Sequence, residues 1–234
     1  MKKLTISLSL ISTITLIGCS ATDEINKSSS EEARSVLSSL DMTIENADDA
    51  LERLKKGNDL YINNESELVD ISSKRREELK NGQNPFAVVV SCSDSRVVTS
   101  HIFNTGLGDI FDIKLAGNVV DDLALGSIEY GVEHLGVKLL VVMGHESCGA
   151  VTAAYNSVHE GEEIHGNIAS ITEKIEPAVS RAKSIEEASN NNVCDVIEEI
   201  KKDETINNLM KYSEIKIVPA YYNLNGKVEF LESN

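Results

Sequence analysis

The chain has 234 residues, of which 41% are hydrophobic and 26% are charged. This usage is typical of a globular protein and excludes a wholly disordered chain, a collagen and a multi-span membrane protein. The 38 acidic and 22 basic residues give a formal net charge of −16. That charge repels nucleic acid, so we expect no nucleic-acid partner. Four cysteines are too few for a disulfide scaffold, and the length fits one sizeable domain.

The N-terminal segment has the pattern of a bacterial lipoprotein signal peptide. Two lysines precede an uncharged run at 4–17, which is too short to span a bilayer comfortably. The run ends in Leu-Ile-Gly before Cys19, which resembles a lipobox. The resemblance implies that residues 1–18 are a signal peptide and that the sulfur of Cys19 carries a diacylglycerol. An ordinary secretory signal and an uncleaved anchor are the alternatives.

Residues 19–40 are rich in Ser, Glu, Asp and Asn, which predicts a flexible tether. The folded domain is expected at 41–234. We therefore expect a lipid-anchored membrane protein of the bacterial cell envelope that faces away from the cytoplasm.

The domain begins with two predicted helices, at 41–56 and 65–80, and Gly57 is expected to end the first. Short apolar runs then alternate with helical patterns, which indicates parallel strands joined by crossover helices. The fold class is therefore α/β, with a central mainly parallel sheet, flanking helices, an N-terminal helical arm and a hairpin-like end. Strands are predicted at 86–91, 110–115, 138–143, 215–222 and 228–231, and further helices at 123–135, 150–159, 168–181 and 197–212.

Chemistry-bearing residues follow two of these strands. Cys92 comes at the end of the first strand, and His145 and Cys148 come just after the third. Ligands bind in the crevice outside the carboxyl ends of parallel strands, so two thiolates and an imidazole can meet there. These are three ligands for a tetrahedral Zn²⁺ with one position free. The alternatives are a disulfide between Cys92 and Cys148 or two buried free thiols.

Asp94 and Arg96 lie next to the first cysteine and form a candidate switch. Asp94 is placed to reach the metal or a water on it, and Arg96 is placed to hold that carboxylate through two hydrogen bonds. When Arg96 holds Asp94 away, water enters and zinc lowers its pKa toward neutrality, which yields zinc-bound hydroxide. When Asp94 binds the metal, the site is closed.

Five motifs together resemble the β-class carbonic anhydrases in order and spacing: residues 91–97, 108–111, 115–118, 127–130 and 143–150. The resemblance extends from about residue 50 to residue 228. It implies zinc held by Cys92, His145 and Cys148, a catalytic dyad of Asp94 and Arg96, and reversible hydration of CO₂ to bicarbonate and a proton. It also implies a homodimer or higher homo-oligomer with pocket walls shared between protomers, in which the N-terminal helices exchange as arms.

Three further residues match the branch of this family that resembles the plant enzymes. Gln83 stands where a glutamine helps to bind substrate, and Phe111 and Tyr130 match aromatic residues that close an apolar pocket. Core packing is the alternative for each aromatic residue. Val89 replaces the tryptophan of a bicarbonate-regulated branch, so that regulatory site is expected to be absent. Lys114 departs from the arginine that many members have.

The sequence is compatible with two other functions. The same zinc site suits a related hydrolase acting on carbonyl sulfide or carbon disulfide, and a non-catalytic surface lipoprotein that binds zinc is the third hypothesis. Cys194 lies in a polar stretch away from every motif and is expected to be a bystander thiol.

Overall fold

A five-stranded sheet forms the centre of the computed structural model, which describes residues 40, 42–66, 69–212 and 214–231. In sheet order the strands are β2, β1, β3, β4 and β5. The first four are parallel, and β5 pairs antiparallel with β4. Their bounds are β1 Ala87–Ser91, β2 Ile110–Lys114, β3 Leu139–His145, β4 Lys216–Tyr222 and β5 Val228–Phe230. The predicted α/β fold with a mainly parallel sheet and a hairpin-like end is confirmed.

Eight helices of the described residues surround this sheet. They are α1 Ala47–Ile62, α2 Ser73–Glu78, α3 Thr99–Ile102, α4 Asp122–Glu129, α5 Gly149–Glu160, α6 Ile168–Ser180, α7 Ile185–Ile200 and α8 Glu204–Lys211. Short 3₁₀ turns lie at Leu79–Asn81 and Ala116–Asn118, and a π-helical turn at Tyr130–His134 continues α4. None of the helices in the described part of the chain is long and apolar enough to cross a membrane.

The central strands β1 and β3 are buried along their whole length, because apolar groups cover both faces of the sheet. Side chains alternate between the two faces. Val88 and Leu140 pack in one cluster with residues of α4 and α7. Val89 and Val141 pack in the other with residues of α1. This two-sided burial explains why the strands are short continuous apolar runs.

Helix α1 differs from its prediction at both ends. It begins after Asn46, whose side chain accepts hydrogen bonds from the amides of Asp48 and Asp49. It also continues past Gly57 to Ile62, so the predicted stop at Gly57 is wrong. A Cβ at Gly57 would lie 1.8 Å from the carbonyl oxygen of Phe103. The glycine therefore permits close contact between α1 and the end of α3.

Two other predicted helices are wrong in their bounds. The helix predicted at 65–80 begins only at Ser73, where the Ser72 hydroxyl accepts a hydrogen bond from the backbone of Arg75. The helix predicted at 197–212 is two helices, α7 and α8. Asp203 separates them because its carboxylate caps α8 at the amide of Ile206. Because α7 already begins at Ile185, the polar stretch around Cys194 lies inside this helix.

The sequence predictions for the first 39 residues, including lipidation of Cys19, lie outside the described residues. The residues that the structure describes all belong to a single compact unit.

Candidate metal centre

Adjacent strands bring the three predicted ligands together at the carboxyl ends of the central strands. Cys92 follows β1, His145 ends β3, and Cys148 immediately precedes α5. Because β1 and β3 are parallel neighbours, their carboxyl ends lie side by side. The sulfur and ring nitrogen ligand atoms lie within 4.8 Å of one another, and the two sulfurs are 4.0 Å apart. Two sulfurs on one tetrahedral zinc, each about 2.3 Å from it, are separated by about 3.8 Å.

The disulfide alternative does not describe this structure. Cys92 and Cys148 are both free and buried, and their sulfur separation of 4.0 Å is about twice the length of a disulfide bond.

His145 shows that the site fits a metal. Its side chain is fully buried, and its Nδ1 lies 2.9 Å from the backbone oxygen of Glu146. A carbonyl oxygen only accepts, so Nδ1 carries the proton and Nε2 presents a lone pair. That Nε2 is buried and has no hydrogen-bond partner, which is costly. A Zn²⁺ ligated by Nε2 satisfies it, and the Nδ1 hydrogen bond sets the ring orientation as in other zinc sites.

The surroundings of Cys92 favour the thiolate, the form that binds metal. The hydrogen bond with Cys148 lowers the pKa of Cys92 to about 4, and two backbone amides act in the same direction. Those amides belong to Gly117 and Asp94, 3.2 and 3.4 Å from Sγ. The same contact with Cys92, together with burial, raises the pKa of Cys148. Without metal, the two sulfurs therefore share one proton.

Asp94 and Arg96 form a bidentate ion pair beside these ligands. Nε of Arg96 lies 2.9 Å from Oδ1 and its Nη2 lies 2.7 Å from Oδ2 of Asp94. This hydrogen bonding holds the pKa of Asp94 well below its usual range. Nη2 of Arg96 also donates to the backbone oxygen of Ser147, 3.1 Å away. Arg96 thus joins the loop after β1 to the loop between His145 and Cys148.

The three predicted substrate residues lie away from this cluster within one chain. Gln83 is exposed and precedes β1, whereas Cys92 follows it. Phe111 is paired with Val88, four residues before Cys92, or about 13 Å along the strand. Tyr130 packs against Phe111 with ring centres 6.0 Å apart and is 46% exposed. Within a single chain, these residues do not line the metal centre.

Some residues that contact the site could not be identified as such from the sequence. The departure from arginine at Lys114 predicts altered packing or charge near the site but not its partners: its Nζ donates to Val97 O at 2.6 Å and to Ser91 Oγ at 3.2 Å. It therefore ties together the two ends of the loop that carries Asp94 and Arg96. Cys194 is exposed and free, and within the described ranges the Cys–His–Cys cluster is the one group of three with metal-ligand geometry.

Comparison with known proteins agrees with this geometry. A family model described as carbonic anhydrase matches residues 87–228. The chain is 42% identical over 130 residues to carbonic anhydrase 2 of Mycobacterium tuberculosis. This match covers 56% of the present chain and 63% of the relative, so the chain matches less than two thirds of the length of that relative.

Solved structures show the same fold. A structure reported among two tetrameric β-carbonic anhydrases of Sordaria macrospora has a TM-score of 0.62 at 22% identity, over 68% of this chain and 86% of its own. The β-carbonic anhydrase CafA of Aspergillus fumigatus has a TM-score of 0.60 at 26% identity, over 68% and 83%. The family match over more than half of the sequence, together with the converging Cys–His–Cys cluster, shows that this chain belongs to the β-carbonic anhydrase family.

Proposed function

We propose that the chain catalyses the reversible hydration of CO₂ to bicarbonate and a proton at a zinc centre held by Cys92, His145 and Cys148. The observation that carries this proposal is the set of three buried ligand atoms within 4.8 Å, with His145 Nε2 otherwise unpartnered. Zinc with three protein ligands supplies a Lewis acid with an open position, which makes water nucleophilic near neutral pH.

The dyad orients the reacting groups. Arg96 engages both carboxylate oxygens of Asp94 and thereby keeps this side chain ionised and in a fixed orientation. Asp94 can then accept a hydrogen bond from the water that attacks CO₂ and fix its direction. Since Arg96 also binds the backbone of Ser147, the dyad keeps a fixed position relative to both ligand loops.

A second copy of the chain completes the substrate pocket in this proposal. The support is that Gln83, Phe111 and Tyr130 lie at a distance from the cluster of their own chain, while Tyr130 is 46% exposed and available to a partner. CO₂ is small and apolar, so an aromatic wall and one amide donor suit it. We therefore propose a homodimer or a higher homo-oligomer.

Mixed dimers test the shared pocket. A dimer of one Cys148→Ala chain and one Tyr130→Ala chain contains one intact site if Tyr130 acts across the interface. About half of the wild-type turnover per dimer is then expected, although each variant alone has little. Failure of the mixed dimer to recover activity would show that the pocket is built within one chain.

Turnover itself is tested by stopped-flow measurement of proton release after CO₂ is added, together with metal analysis. Cys148→Ala should lose both zinc and turnover. Cys194→Ala is the matched control, because Cys194 is an exposed free thiol, and it should keep both. Turnover by metal-free protein would contradict the proposal, and zinc bound without proton release would favour the non-catalytic zinc-binding lipoprotein. Parallel assays with carbonyl sulfide and carbon disulfide test the hydrolase alternative.

We also propose that the protein is anchored to a bacterial membrane by lipid on Cys19. The support is the short apolar run that ends in Leu-Ile-Gly-Cys and the polar segment that follows it. Cells fed a palmitate analogue should label the wild-type protein, and Cys19→Ala should abolish labelling. Equal labelling of both proteins would refute the anchor.

A further inference from the structure

Helix α7 presents two buried polar side chains to the backbone around the metal centre. Ser189 and Asn192 are only 2% and 1% exposed, and their spacing of three residues places them on the same face of the helix. The Ser189 hydroxyl donates to the carbonyl oxygen of His145 at 3.4 Å. Nδ2 of Asn192 donates to the carbonyl oxygen of Gly117 at 2.8 Å. Each side chain thus contacts a different segment of the centre.

Gly117 connects Asn192 to a metal ligand. Its carbonyl accepts from Asn192, and its amide donates to Cys92 Sγ at 3.2 Å. The two groups flank one Cα whose φ is +67°, in the left-handed region. A Cβ there would lie 2.7 Å from Cδ1 of Ile175. The hydrogen bond from Asn192 therefore helps hold this glycine in the conformation that directs its amide at the sulfur.

The position of Asn192 in α7 supports this role. The neighbouring buried residues Val193, Val196 and Ile197 belong to an apolar cluster, in which an unsatisfied amide is costly. The partner that satisfies Asn192 is the short turn at Ala116–Asn118, which adjoins Cys92 through the amide of Gly117. A hydrophobic side chain would suffice if α7 only packed against the sheet.

We propose that Asn192, assisted by Ser189, is a positioning residue for the zinc centre. It fixes the hydrogen bond from the amide of Gly117 to Cys92 Sγ and so adjusts how much charge that sulfur donates to the metal. The inference rests on the proposed function, since it requires zinc at this cluster. Loss of an outer hydrogen bond of this kind typically weakens metal binding by about 10–100-fold.

Two measurements on Asn192→Ala test the proposal: the zinc dissociation constant by chelator competition, and the sulfur-to-metal charge-transfer absorption of Co²⁺-loaded protein. The dissociation constant should rise by about 10–100-fold. The absorption should move to lower energy, because a thiolate that accepts fewer hydrogen bonds gives up its electrons more easily. Ser189→Ala should raise the dissociation constant less, since its hydroxyl does not act on a sulfur.

Asn191→Ala is the matched control. Asn191 lies on the same helix but donates to Ala178 O at 3.2 Å, near the end of α6 and away from the ligand loops. It should keep both the zinc affinity and the absorption even if it lowers stability. Should Asn192→Ala fail to fold, Asn192→Ser replaces it, since a hydroxyl there is polar but too short to reach Gly117.

An unchanged absorption and zinc affinity in the Asn192 variant would overturn the proposal, and so would equal changes in the Asn191 control. Either result is distinguishable from failure of the proposed function. If the proposed function failed, the wild-type protein itself would bind no zinc or would not hydrate CO₂.

Discussion

Gly117→Ala tests most sharply the packing beneath the metal centre. Gly117 has a φ of +67°, which costs a residue with a Cβ about 1–2 kcal/mol. The added Cβ would also lie 2.7 Å from Ile175 Cδ1 and 3.1 Å from Ala150 Cβ, and overpacking of this kind costs about 1–3 kcal/mol. We expect the free energy of unfolding to fall by about 2–5 kcal/mol.

The same substitution should weaken zinc binding, because the amide of Gly117 donates to Cys92 Sγ. Urea unfolding of the metal-free protein measures the first effect, and chelator competition measures the second. Gly149→Ala is the control, since a Cβ there meets nothing within 4 Å, and its stability should change by less than about 0.5 kcal/mol. A Gly117→Ala protein as stable as the control, with unchanged zinc affinity, would refute this reasoning.

Three further changes have expected outcomes. Gly57→Ala should destabilise by about 3 kcal/mol or more in urea unfolding, because its Cβ would lie 1.8 Å from the backbone oxygen of Phe103; wild-type stability would disprove the close helix contact. Lys114→Met should lower CO₂ turnover by about tenfold through loosening of the dyad loop, and Lys114→Arg should restore it; an equal defect in both variants would argue against this hydrogen-bonding role. Burial raises the pKa of Tyr221 to about 12 from about 10 in the unfolded chain, so its stabilising contribution is complete below pH 10 and lost as the pH rises toward 12. Between pH 10 and pH 12, the free energy of unfolding of the Tyr221→Phe protein should therefore fall by about 2 kcal/mol less than that of the wild type. Urea unfolding at a series of pH values measures this difference, and parallel pH profiles of the two proteins would contradict the assignment.

The sequence predicted the sheet and the ligands because their signals are local. Buried parallel strands are short apolar runs, so β1 and β3 could be located, and Cys92 and His145 lie at their ends. The carboxyl ends of neighbouring parallel strands lie side by side, which is sufficient to bring the turns that follow them to one metal. The pairing of Asp94 with Arg96 follows from their spacing of two residues in a tight loop.

The features that the sequence did not reveal depend on partners distant along the chain. Glycine commonly ends helices, so the sequence predicts a stop at Gly57. Only the approach of the Phe103 backbone shows that Gly57 permits close packing instead. Asn192 belongs to a run of three asparagines that suggests a solvated surface, but tertiary packing buries it against Gly117. In our proposal Gln83 and Tyr130 act at the metal centre of a second copy, a contact that no spacing within one sequence encodes.

X-ray absorption spectroscopy at the zinc edge tests the central claim most directly, because it reports the atoms around the metal in the intact protein. The geometry predicts two sulfur neighbours at about 2.3 Å and two nitrogen or oxygen neighbours at about 2.0–2.1 Å. Cys148→Ala should remove the metal, while Cys194→Ala should leave the spectrum unchanged. A spectrum with no sulfur neighbours, or with four, would contradict a centre built from Cys92, His145 and Cys148.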